Sequence, residues 1–105
     1  MAQKKVVWTE TAARHRRSIL EYWFERNHSP AYSLKLLQLS NEKVEQIAAH
    51  PLLYKAADFA DTRIAAMGHF SILYKISTDA IIITAFWDNR QDPKRLLEIL
   101  KASKD

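Results

Sequence analysis

Seven consecutive residues late in the chain, Ile81-Ile82-Ile83-Thr84-Ala85-Phe86-Trp87, are apolar except for one threonine. A run of this kind is the signature of a central strand covered on both faces, since a strand with one wet face alternates. It gives way at once to a polar knot, Asp88-Asn89-Arg90-Gln91-Asp92-Pro93, where the strand must surface. A guanidinium at the mouth of a rigid strand, among two carboxylates and two amides, is placed to meet something anionic. The structural account of the same residue is an ion pair with Asp88 or Asp92, which at an exposed site contributes about 0 to 1 kcal/mol.

The remaining elements follow from spacing. Val6-Val7-Trp8 reads as a short strand, with Thr9 as N-cap of a helix over 9–27. In that helix Ala12, Ile19 and Trp23, with Ala13, Leu20 and Phe24, recur at helical intervals. Asn27-His28 breaks it, and Ser29-Pro30 opens a second helix whose stripe is Leu34, Leu37, Val44, Ile47 and Ala48. That helix should stop before His50-Pro51, because the residue preceding proline disfavours the helical conformation. Joined by so short a connection, the two helices over 9–50 must form an antiparallel hairpin.

Residues 51–61 show no period and read as a loop. Thr62-Arg63-Ile64-Ala65-Ala66 is a strand, and Gly68, the one glycine of the chain, supplies the positive φ of a hairpin turn. Phe70, Ile72, Tyr74 and Ile76 alternate with Ser71, Leu73, Lys75 and Ser77, a strand with one face on a core. Asp92-Pro93 caps a final helix over 93–102 carrying Leu96, Leu97 and Leu100, with Lys101 and Lys104 where cations suit the helix dipole. The expected fold is a single α+β domain over residues 1–105: an N-terminal strand, a helical hairpin packed on an antiparallel sheet with a meander over 62–87, and a short C-terminal helix.

Composition narrows the chemistry. There is no cysteine, so thiol nucleophiles, disulfides and cysteine-based zinc sites are excluded. The four histidines, His15, His28, His50 and His69, lack paired ligand spacing, which argues against a metal site. Asp88 with Asp92, and Asp58 with Asp61, read as loop and cap residues for want of a third ligand. Lys and Arg outnumber Asp and Glu by 16 to 12, a formal charge of +4 that leans toward anionic partners. The densest basic cluster, Arg14-His15-Arg16-Arg17, reads as a solvated helix face with Arg16 snorkelling beside the apolar stripe. Trp8, Trp23 and Trp87 read as core or core-edge aromatics, Trp87 being the one best placed for exposure and stacking. No stretch approaches the roughly 20 apolar residues of a membrane span, and Met1-Ala2-Gln3-Lys4-Lys5 lacks a signal-peptide core. The expectation is a cytoplasmic protein without membrane contact.

The element order carries a family resemblance. Val6-Val7-Trp8-Thr9 running into a helix with Ala12 and Ala13, the Arg63 strand, Phe70-Ser71-Ile72-Leu73-Tyr74-Lys75-Ile76, and the exit Phe86-Trp87-Asp88-Asn89-Arg90-Gln91-Asp92-Pro93 together resemble toxins of the RelE/ParE superfamily. The resemblance covers nearly the whole chain. It implies the toxin of a type II toxin–antitoxin system, in a hetero-oligomeric complex with a cognate antitoxin that wraps the helical hairpin or lies along the sheet edge. It calls for no cofactor and no metal.

The superfamily has two branches. RelE-like members are ribosome-dependent endoribonucleases acting on mRNA, and this reading would enlist Arg90, Arg63 and Lys75 to neutralise phosphate. In this chain Ser71 stands where such nucleases often hold another arginine, and no Tyr or His follows Arg90. ParE-like members block DNA gyrase and need no catalytic set. The third-strand pattern and the Arg-Gln-Asp exit lean to that branch, with Arg90, Arg63, Trp87 and Asp92 as the target-binding candidates.

Overall fold

The computed structural model describes residues 4–102; Lys104, Met1 and the other terminal residues lie outside that range. In chain order the elements are β1 (Lys5–Trp8), α1 (Glu10–Asn27), α2 (Ala31–Ala49), β2 (Lys55–Ala56), β3 (Arg63–Met67), β4 (Phe70–Ile76), β5 (Ala80–Asp88) and α3 (Pro93–Ala102). The strands form one sheet in the order β1-β5-β4-β3-β2. The meander pairs antiparallel, and β1 joins β5 in parallel, with Trp8 opposite Ile83. The helical hairpin carries the chain from β1 at one edge of the sheet to β2 at the other, and the meander then brings β5 back beside β1.

The apolar run becomes β5, the second strand of the five, between β1 and β4. Its two faces are buried by different layers. Ile81, Ile83 and Phe86 join Ile72, Tyr74, Phe70, Ala12, Leu36 and Ile47 in the core beneath the hairpin. Ala85 and Trp87 join Leu73 and Leu100 beneath α3. Strict alternation would put Ile83 and Ala85 on the same face. A bulge separates them: Leu73 lies opposite Ala85 and Tyr74 opposite Ile83, leaving Thr84 without a cross-strand partner. One extra residue inverts the side-chain parity of everything after it. The Thr84 hydroxyl donates to the Leu73 carbonyl at 3.3 Å, so the buried polar group at the bulge is satisfied.

Local chemistry sets the element ends. The Thr9 hydroxyl accepts from the Ala12 N–H at 3.1 Å and caps α1. His28, at φ 51°, takes the left-handed C-cap, and Ser29 Oγ accepts from the Ala31 N–H at 3.2 Å to open α2. Gly68, at φ 62°, turns β3 into β4. Asp92 Oδ1 accepts from the Lys94 N–H at 3.0 Å and starts α3.

Four expectations need correction. Residues 51–61 are not wholly loop, because Lys55 and Ala56 pair with Ile64 and Arg63; two residues are too few to show a period. Leu34 is 59% exposed and Phe24 50%, so neither belongs to the core stripe; the turn of α2 facing the sheet runs through Leu36, Ser40, Val44 and Ile47. Ile76 is 36% exposed, as the last residue of β4 where the strand gives way to the turn closed by the Ser77 N–H to Ala80 carbonyl bond. Trp87 is buried at 6% exposure rather than presented for stacking, since α3 folds over it.

Candidate functional site

Where β5 ends, Asp88 and Arg90 close on each other. Asp88 Oδ1 accepts from Arg90 Nε at 2.9 Å and Oδ2 from Nη2 at 2.8 Å, a bidentate fork. The Arg90 main-chain N–H adds a third bond to Oδ1 at 3.0 Å. These hydrogen bonds hold the Asp88 carboxyl below its ordinary range and raise the Arg90 guanidinium above its own. Of the two carboxylates in the knot, Asp88 is thus the partner, and Asp92 serves as the α3 cap. The guanidinium also stands 5.5 Å from the Trp23 ring centre and 5.9 Å from that of Phe70.

Arg90 lines a groove that the sequence did not disclose. Arg90, Asp88 and Gln91 form one wall and α1 the other, through Ser18, Tyr22, Trp23 and Arg26, enclosing about 520 Å³. Arg26 lies 6.0 Å from the same Trp23 ring and donates to the Tyr22 hydroxyl at 3.3 Å. A second hollow of about 320 Å³ continues it toward α3, sharing Ser18, Ile19, Asp88 and Gln91 and adding Arg14, His15, Trp87 and Arg95. Among the described residues the one ion pair found is Arg90–Asp88, so Arg14, Arg26 and Arg95 have no carboxylate partner there. The signal was legible in one respect: Arg14, Ser18, Tyr22 and Arg26 are spaced by four, which places them in a line along one helix face.

His15 holds the inner wall. Because β1 stops at Trp8 opposite Ile83, the edge of β5 beyond it lies open to α1. His15 Nδ1 accepts from the Phe86 N–H there at 3.4 Å, and its ring packs edge-on to Trp87 at 5.9 Å. An imidazole accepting through Nδ1 is neutral and carries its proton on Nε2. Burial and, next, the Arg14 charge lower its pKa. The Trp87 indole N–H is buried with no acceptor among the described residues.

The other candidates are dispersed. Arg63 is half-buried and donates through Nη1 to the Tyr54 carbonyl, holding the loop before β2. Arg63 and Lys75 line a separate hollow of about 830 Å³ that contains neither Arg90 nor Trp87. Ser71 is buried at 3% exposure opposite Trp87 and donates to Asn89 Oδ1 at 3.0 Å. Arg16, expected to snorkel, stacks 4.0 Å over Trp8 and donates to Ser40 Oγ and Asn41 Oδ1, tying β1, α1 and α2 together. On the outer face of the hairpin, Leu20, Phe24, Leu34 and Leu37 line a shallow apolar groove of about 300 Å³, with Glu21 and Glu25 beside them.

Known proteins resemble this chain in sequence and in fold. The family model described as the ParE toxin of the type II toxin–antitoxin system, parDE, matches residues 6–93. Among solved structures, the chromosomal ParDE toxin–antitoxin system from P. aeruginosa superposes with a TM-score of 0.70 at 18% identity, covering 80% of this chain and 94% of that one. The toxin–antitoxin complex RelBE2 from Mycobacterium tuberculosis gives a TM-score of 0.57 at 18% identity, covering 81% and 96%. A search of curated protein sequences returned no match. Fold and sequence together define the class as a type II toxin of the RelE/ParE superfamily. Within that class the chain belongs to the ParE toxin family.

Proposed function

We propose that this toxin arrests growth by binding its target without cleaving it, with DNA gyrase as that target, and that a cognate antitoxin neutralises it. One observation carries the non-cleaving reading: Ser71, which stands where the nuclease branch would hold a cation, is buried at 3% exposure opposite Trp87 and donates to Asn89 Oδ1. Arg90, held in its bidentate fork by Asp88, supplies a fixed cation for binding.

For the antitoxin, the apolar groove on the hairpin is the fitting surface. Phe24 and Leu34 stand exposed on neighbouring helices, and an amphipathic helix could lay its apolar face between them. Such a partner would order on binding, as acidic and amphipathic segments do.

A paired assay tests the target. The purified chain is added to a gyrase supercoiling reaction and, separately, to translating ribosomes with primer extension on the message. Blocked supercoiling with intact messages is the expected outcome. Codon-phased cuts that disappear in Arg90→Ala would instead establish the endoribonuclease reading.

A further inference from the structure

We propose that the groove between α1 and the β5 exit binds the phosphodiester backbone of a nucleic-acid strand. Three observations carry this. The first is charge: Arg14, Arg26, Arg90 and Arg95 are all exposed and line the two connected hollows. Asp88 is the one carboxylate lining either hollow, and it is already engaged in the fork with Arg90.

The second is the chemistry of the inner end. His15 is fixed there as an Nε2–H donor by the bond its Nδ1 receives from Phe86. With Arg14 and Arg95 beside it, this end of the groove is suited to an oxygen-rich anion.

The third is shape. Arg14 and Arg26 are three turns apart on α1, about 18 Å along its axis, so the cations form a track rather than a point. Tyr22, 53% exposed, and Trp23 lie along the track, where they would stack on bases. This surface is distinct from the hollow lined by Arg63 and Lys75, and the inference does not depend on which target the toxin blocks.

The test is fluorescence anisotropy of the full chain against a labelled oligothymidylate, an oligouridylate and a duplex, each of about 16 nucleotides per strand, at about 50 and 200 mM salt. Expected is binding that weakens with salt. In Arg14→Gln/Arg95→Gln, two exposed positions, affinity should fall at least tenfold and the log–log salt slope should shrink by roughly 1.4 on a single strand. A preference among the three probes identifies the kind of strand. The proposal is overturned if none of them binds at the lower salt, or if the double variant keeps the wild-type affinity and slope. It is equally overturned if a polyglutamate peptide binds and the oligonucleotides do not, which would assign the groove to an acidic protein.

Discussion

Arg90 and Asp88, two residues apart at the end of β5, share three hydrogen bonds: two from the guanidinium and one from the Arg90 main-chain N–H. The carboxylate therefore both aims the cation and shapes the backbone that carries it. Because the Asp88 pKa is lowered in the fold, chiefly by the Arg90 side chain, its stabilisation is present above the ordinary carboxylate value of about 3.9 and is lost as pH falls through the lower folded value. Urea titration at neutral pH should find Asp88→Ala less stable than wild type, and the gap should close on acidification. A gap independent of pH would contradict the pairing.

Phe86 follows the bulge and is buried at 2% exposure against Phe70 and Trp8, at ring separations of 5.8 and 6.4 Å. Phe86→Ala should destabilise by about 3 to 5 kcal/mol through lost transfer energy and the cavity left behind. Denaturant unfolding reads this directly. A loss below about 1 kcal/mol would mean that the bulge does not deliver this side chain to the core.

His15 makes stability depend on pH in a defined direction. Its pKa is lowered in the fold, so the unfolded chain binds the extra proton and stability rises with pH. The contribution is complete above histidine's ordinary value of about 6.5 and fades as pH drops through the lower folded value. His15→Leu leaves the Phe86 N–H without its acceptor and should cost about 1 kcal/mol at pH 8. Thermal melts from pH 8 to pH 5 should show the variant losing less stability than wild type.

The hairpin groove yields a prediction that separates partner from target. Phe24→Asp and Leu34→Asp alter exposed positions, so the fold and the growth arrest should survive. Antitoxin binding, measured by calorimetry, should weaken at least tenfold because a charge is then buried without a partner. Unchanged affinity in both variants would move the antitoxin to another face.

The fold was legible because its strongest signals are one-dimensional: the apolar run, the Thr9 and Asp92 caps and the Gly68 turn each depend on neighbours in sequence. The bulge at Thr84 was not legible, since an all-apolar run hides a change of parity. Nor was the burial of Trp87, which depends on α3 folding back over the strand end. Arg90 was found as the knot's cation, yet the groove around it draws half its wall from α1, more than 60 residues earlier. The four-residue spacing of Arg14, Ser18, Tyr22 and Arg26 marks one helix face, but spacing cannot say which element that face meets.

The central claim is that this ParE-family toxin acts through Arg90. Inducing the chain alone in a bacterium, beside Arg90→Ala and Arg90→Lys at matched, verified protein levels, tests it most directly. Growth should stop with the wild type and continue with Arg90→Ala. Arg90→Lys should not restore arrest, because an ammonium cannot form the guanidinium fork. Undiminished growth with the wild-type chain, or arrest equal in all three, would contradict the account.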